Sequence, residues 1–195
     1  MIKTRKFKVN YYHTLSDKSI KVKNIKKVVS SIDPPFKDNS FDFCFSILSI
    51  SSAEDIVKTF NKIHNLLKKG GKFICVLNAE DNLKEFKNNL FNSFPKISEK
   101  SFLPFIDILS LGKIGKIAGF KNIVIDKSNF LLEVQVANEI WNFIRNIGES
   151  NILENRENLF LGKNNYLSYC QKMRTAIIKK NCINTLSVNF FTGSK

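Results

Sequence analysis

The stretch from Phe41 to Asn78 constrains the fold more than any other part of the chain. After a Lys37-Asp38-Asn39-Ser40 turn, Phe41-Asp42-Phe43-Cys44-Phe45-Ser46-Ile47-Leu48-Ser49-Ile50 is apolar on nearly every residue, the pattern of a central parallel strand buried on both faces. Ser51-x-x-Glu54 then reads as a capping box, with Asp55 adding charge that suits a helix N-terminus. Ile56, Val57, Phe60, Ile63 and Leu67 recur at helical spacing, Lys68 and Lys69 close the last turn, and Gly70 serves as the stop. Lys72-Phe73-Ile74-Cys75-Val76-Leu77-Asn78 follows as another doubly buried strand. A strand, a helix and a strand in this order predict a parallel crossover unit, and with it an α/β fold.

The flanks extend the pattern. Residues 6–14 and 27–31 read as short strands, the second ended by Asp33-Pro34-Pro35, because proline cannot donate to a ladder. Leu83, Phe86, Leu90 and Phe91 predict a helix broken at Pro95, and Phe105 to Ala118 a second one ending at Gly119. Strand-like Lys121–Asp126 follows, with residues 128–134 extending or pairing with it. Helices over 135–147 and 163–180 and an alternating strand from Thr185 to Phe191 complete the series. With no repeat and no low-complexity linker, the 195 residues are expected to form a single domain spanning 1–195.

Composition removes several classes of function. A 43% hydrophobic chain with 18 Phe is not the low-hydrophobicity mixture of a disordered protein. Every apolar stretch is interrupted well short of the roughly 20 residues that cross a bilayer, and the N-terminus lacks the apolar core of a secretory signal. A reducing compartment, the cytoplasm, is therefore expected for Cys44, Cys75, Cys170 and Cys182, which are widely spaced and form no C-x-x-C pair. His13 and His64 stand in no metal-ligand spacing, so no metal site is expected.

The net charge is +14, and the first 32 residues hold nine basic side chains against Asp17 alone, +8 of that total. Such an end attracts anionic partners. The aromatic interleaving of a single-strand binder is missing apart from Tyr11 and Tyr12, which argues against nucleic acid.

Two motifs carry a resemblance. Asp33-Pro34-Pro35-Phe36-Lys37-Asp38-Asn39-Ser40-Phe41-Asp42-Phe43 and Leu66-Leu67-Lys68-Lys69-Gly70-Gly71-Lys72-Phe73 are similar to the middle of class I S-adenosylmethionine-dependent methyltransferases of the type 11 group. Ser101-Phe102-Leu103-Pro104-Phe105, Ile117-Ala118-Gly119-Phe120, Ile147-Gly148-Glu149-Ser150-Asn151 and Phe191-Thr192-Gly193-Ser194-Lys195 resemble one branch of it. That branch holds the malonyl-carrier-protein methyltransferase of biotin synthesis and methyltransferase-like assembly factors of respiratory complex I.

The resemblance implies a Rossmann-like, mostly parallel sheet, methyl transfer to a small-molecule, carrier-protein or protein acceptor, and S-adenosylmethionine as cofactor. It implies an acidic carrier protein or a respiratory-complex subunit as partner, with the mitochondrial matrix as the alternative to the cytoplasm. The family binds its cofactor first through a glycine-rich loop after strand one, whereas all eight glycines here lie at or beyond Gly70. The first βα unit is thus expected to be missing. The remaining cofactor positions fall on Asp17, on Ser30 and Ser31, and on Ser46; the resemblance assigns no catalytic residue.

Three further features are ambiguous from sequence. Glu80-Asp81 sit at the C-terminal edge of a parallel strand, where ligands bind, and equally where a helix first turn favours acids. Gly112-x-x-Gly115-x-x-x-Gly119 reads as helix packing or termination rather than a phosphate cradle, and Trp141 with Arg145 as core and surface. The second functional reading is a non-catalytic, methyltransferase-like docking or assembly protein that has lost the cofactor. Because the family's first strand lies beside its fourth, its loss predicts either poor pairing of the early strands with the rest or an exposed fourth strand.

Overall fold

The computed structural model describes residues 12–15, 26–29, 36–53, 55–94, 102, 105–136, 138–146, 162–178 and 183–195. In chain order these form β1 (Tyr12–Leu15), β2 (Lys26–Val29), β3 (Phe41–Ile47), a 3-10 turn (Ser49–Ser52), α1 (Ile56–Leu66) and β4 (Leu67–Asn78). There follow α2 (Lys84–Ser93), α3 (Ile108–Ile117), β5 (Lys121–Glu133), α4 (Glu139–Asn146), α5 (Lys163–Ile178) and β6 (Ile183–Ser194).

The strands make two sheets. β1 and β2 pair in parallel by themselves, and β3-β4-β6-β5 form a four-stranded sheet. β3 and β4 are parallel, joined through α1, as the crossover pattern requires. β6 runs antiparallel to both β4 and β5, so this sheet is mixed. Among the described residues no hydrogen-bonded ladder joins the two sheets, and β3 ends the larger one. The expected break between the early strands and the rest is present.

Alternation sorts the side chains of the larger sheet. Phe73, Cys75, Leu77 and Phe191 point to the face covered by α1 and α3, where they are buried with Phe60, Leu111 and Phe120. The rings of Phe60 and Phe73 meet edge-on at 5.4 Å, those of Phe60 and Phe191 at 5.1 Å, and Phe73 stacks on Phe120 at 5.6 Å. Gly115 lets α3 approach this cluster: a Cβ there would lie 2.6 Å from the Phe191 ring. Gly119 ends α3 at φ +89°, so the glycine pattern serves packing and termination.

A second core closes the far end of the long β5–β6 ribbon. Leu83, Phe86, Leu90, Phe94, Val134, Ile140, Tyr169 and Met173 bring α2, α4 and α5 together. Trp141 belongs here, its ring edge-on to Phe86 at 5.0 Å, and Arg145 is exposed.

Three expectations are corrected. α1 is capped by Asp55, whose Oδ1 accepts from the Lys58 N–H at 2.8 Å. Ser51 does not cap it, because Leu48 turns left-handed at φ 58° and residues 49–52 are used in the 3-10 turn; Glu54 lies outside the described residues. The helix also ends at Leu66 rather than at Lys69. Leu67 is already paired with Phe41, and backbone bonds from the Ser40 N–H to the Leu66 carbonyl and from the Gly70 N–H to the Lys195 carbonyl, each 2.9 Å, hold residues 67–71 in the sheet; Lys68 adds an exposed ion pair to Asp42. Finally, β3 is not buried on both faces: Phe43, Phe45 and Ile47 are 46%, 65% and 66% exposed. Ile74, in register with Phe45 on the central strand β4, is exposed on the same face, so among the described residues that face lacks a covering layer.

Candidate functional site

In an open α/β sheet, ligands bind beyond the C-terminal ends of the parallel strands. Here that edge is formed by the turn after β3, the turn after β4, and the segment of β6 that passes them. Polar residues are concentrated there and buried: Ser51, Asn78, Asn82, Thr185, Ser187 and Asn189 are all 9% exposed or less.

Ser46 is the only sequence-assigned cofactor position within the described residues. It sits near the end of β3, half-buried, with its hydroxyl 2.8 Å from that of Ser49 in the following turn. Asp17, Ser30 and Ser31 lie outside the described residues. Ser51 accepts from the Asn78 N–H at 3.4 Å, tying the turn after β3 to the end of β4.

The turn after β4 is tied in its turn to β6. Asn82 Nδ2 donates to Asn78 Oδ1 at 2.9 Å, and the Ser187 N–H donates to Asn82 Oδ1 at 2.9 Å. The Ala79 N–H donates to the Ser187 carbonyl at 3.0 Å and the Leu83 N–H to the Thr185 carbonyl at 2.8 Å. Glu85, in the first turn of α2, accepts from both the Thr185 N–H (2.9 Å) and its hydroxyl (2.8 Å). Burial works to raise the Glu85 carboxyl, yet the Thr185 hydrogen bonds outweigh it and hold it below the usual range. Buried amides satisfied in this way fix a turn's shape, since breaking one leaves its partner unpaired.

Glu80 and Asp81 are engaged rather than free. Lys127 on β5 lies 3.0 Å from Glu80 Oε1 and 2.7 Å from Asp81 Oδ1. Burial would raise the Asp81 carboxyl, but the Lys127 ammonium holds it below its ordinary value; reciprocally, the Asp81 bond raises Lys127. The pair of acids thus locks the turn after β4 onto β5. Nothing in the local sequence signals this role, because Lys127 follows Glu80 by 47 residues. The Asn82–Ser187 contact, across 105 residues, is equally silent.

The remaining reactive groups are inert in place. Burial pushes the Cys44 thiol up to about 11 and raises Cys75 further, which keeps both protonated. Among the described residues no cluster of three or more His, Cys, Asp or Glu side chains is set to hold a metal ion. No helix among them is long and apolar enough to cross a membrane.

With this geometry in view, the chain can be set beside known proteins. Residues 8–75 match the methyltransferase domain family. The human mitochondrial arginine hydroxylase NDUFAF5 is 30% identical over 133 residues, which is 64% of this chain and 37% of that protein. A Rickettsia prowazekii protein named "putative methyltransferase" is 28% identical over 72% of this chain and 63% of its own length. The malonyl-[acyl-carrier protein] O-methyltransferase of Xylella fastidiosa is 28% identical over 68% of this chain and 44% of the enzyme. The chain therefore matches between about a third and two-thirds of the length of these relatives.

Two solved structures share the fold. The YcgJ protein of Bacillus subtilis superposes with a TM-score of 0.55, at 15% identity, over 89% of this chain and 72% of that one. A "putative methyltransferase" of Bacillus halodurans gives 0.52, at 13% identity, over 89% and 73%. The motif-based resemblance to S-adenosylmethionine-dependent methyltransferases holds, and the fold is Rossmann-like.

S-adenosylmethionine carries a ribose diol, an ammonium and a carboxylate. Against these the described edge offers the Ser46–Ser49 hydroxyls. The carboxylates after β4, Glu80, Asp81 and Glu85, are already bonded to Lys127 and Thr185. The described residues alone do not compose a cradle for the cofactor.

Proposed function

We propose that this chain carries the acceptor-side half of an S-adenosylmethionine-dependent methyltransferase, acting on a carrier-protein or protein acceptor. The methyltransferase-domain match over residues 8–75 carries the reading, since it spans both motifs' strands and the approach to the polar edge. Methyl transfer asks chiefly for two reactants held in line, with no dedicated acid or base. The cofactor supplies an electrophilic methyl on a sulfonium; the chain's own task is to orient.

The hydrogen-bonded turns at Asn78–Leu83 and Ser49–Ser52 suit that task, because the first is held by β6 and the second by the end of β4, not by the ligand. Ser46 is proposed as a cofactor contact, completed by Asp17, Ser30 and Ser31. The name of the Xylella relative, a carrier-protein methyltransferase, supports a protein-borne acceptor; an acidic carrier protein or a respiratory-complex subunit is the proposed partner. A +14 chain suits an acidic partner by long-range attraction. The cytoplasm is the proposed compartment, with the mitochondrial matrix as the alternative that the human relative's name raises.

Titration calorimetry with S-adenosylmethionine and S-adenosylhomocysteine tests the proposal. Saturable binding of both, weakened several-fold by Ser46→Ala, is expected. No heat at millimolar cofactor would contradict it and favour the docking-protein reading for the chain as given.

A further inference from the structure

The three helices of the second core are basic. α2, α4 and α5 carry six lysines and arginines against two acids, and α5 has no acid at all. Both acids are committed within the fold. Glu85 accepts from Thr185, and Glu139 Oε2 accepts from the N–H groups of Gln135 and Val136 at 2.8 and 3.2 Å.

The kind of base matters as much as the number. Only four of the 31 basic residues in the chain are arginines, and three of these, Arg145, Arg156 and Arg174, fall within a span of thirty residues. Arginine presents a planar fork that pairs bidentately with carboxylates and sheds water more readily than an ammonium, which suits it to interfaces. Arg145 and Arg174 are exposed on α4 and α5.

The inner side of α5 is fixed in place. Tyr169 and Met173 are buried in the second core with Phe86 and Leu90 of α2, and Lys172 Nζ donates to the Asn92 carbonyl at 3.1 Å near the end of that helix. The helical period then turns Lys163, Leu167, Arg174 and Ile178 to the opposite side. All four are exposed, Leu167 at 54% and Ile178 at 81%, so bases and apolar side chains alternate along one stripe. Arg145 is close enough for its charge to act on the Tyr166 phenol, and Arg174 lies two turns beyond Tyr166, about 12 Å along the helix. α2, on which α5 packs, begins directly after the turn that follows β4, so this surface stands beside the ligand edge of the sheet.

We infer that the outer side of α4 and α5, with Arg145, Lys163, Leu167, Arg174 and Ile178, is where an acidic carrier protein docks. The inference rests on the carrier-protein reading above and adds the place. The arginines and Lys163 meet the partner's carboxylates, and Leu167 and Ile178 supply apolar contact between them. Docking here sets the carried acceptor group next to the turns at the sheet edge, and charge of this kind governs encounter and orientation more than residence.

Binding of a purified acidic acyl carrier protein to the full chain, followed by fluorescence anisotropy, tests this. Affinity is expected to fall as salt is raised. Arg145→Glu with Arg174→Glu is expected to weaken binding by roughly tenfold or more, while Lys58→Glu with Lys113→Glu, the same change in net charge placed on α1 and α3, weakens it less than about threefold. Should the first pair fail to fold by circular dichroism, Arg145→Gln with Arg174→Gln decides by the same comparison. Equal weakening by both pairs would overturn the inference and leave the carrier-protein reading in place; an unaltered chain that does not bind the carrier would remove both. The assay needs neither cofactor nor turnover, so a failure to bind S-adenosylhomocysteine counts against the methyltransferase reading alone.

Discussion

The two faces of the four-stranded sheet are written by alternate residues of the same strands, and they meet opposite fates. On one face Phe73, Cys75 and Phe191 are fully buried under α1 and α3. On the other, in the same register, Phe45, Ile74 and Val124 line a row that is 65%, 36% and 65% exposed. The apolar content of the two rows is comparable; what differs is the presence of a covering layer. Hydrophobic sequence thus records what a strand is suited to bury, and the neighbours it finds decide what it does bury.

The sharpest way to break this comparison is to truncate one ring on each face. Phe191→Ala removes the ring that touches Phe60, Phe73 and Phe120 and is expected to cost about 3–5 kcal/mol in urea denaturation. Phe45→Ala on the open face is expected to cost less than about 0.5 kcal/mol. Equal losses would mean that the open face is covered in solution.

The same asymmetry explains what was readable in the sequence. The crossover of residues 41–78, the glycine spacing in α3 and the core place of Trp141 follow from periodicity and local chemistry, and they hold. Boundaries moved where a distant partner intervened. Lys68 leaves the helix for the sheet because the backbone on either side of it is bonded to Ser40 and to Lys195, 26 and more residues away in sequence, and Asp55 replaces Ser51 as cap because the turn after β3 needs Ser49–Ser52. The site was legible only in outline: Glu80 and Asp81 were visible as acids at a strand edge, but Lys127, Asn82 and Ser187 act through tertiary contacts that no local pattern encodes.

The next largest effect concerns the fit between α3 and the covered face. Gly115→Ala puts a methyl 2.6 Å from the Phe191 ring and is expected to destabilise by about 1–3 kcal/mol in the same denaturation series. The matching change at Gly112, whose added Cβ would meet only Ile125 at 3.5 Å, is expected to be neutral or better. Asp55→Ala, which deletes the cap of the helix covering that face, is expected to cost about 1 kcal/mol by thermal unfolding.

The smallest effect is on pH dependence. His64 packs against Phe120 at 5.1 Å on the covered side. Burial, then the positive charge of Lys195, lower its pKa against the hydrogen bonds of Gly119 and Asn65. A histidine with a lowered folded pKa binds fewer protons folded than unfolded, so its contribution is complete above the ordinary histidine range and is lost as pH falls through it. A stability profile from pH 8 to 5 is expected to decline in that window, and His64→Gln to flatten it.

Residue-resolved hydrogen exchange along β3 tests the open side most directly. Cys44 and Ser46, whose amides face β4, are predicted to be protected together with Phe73 and Cys75 of that strand, while Phe43, Phe45 and Ile47 exchange freely. Protection spread evenly over Phe43 to Ile47 would show that β3 has a second neighbour in the sheet and would contradict an open side.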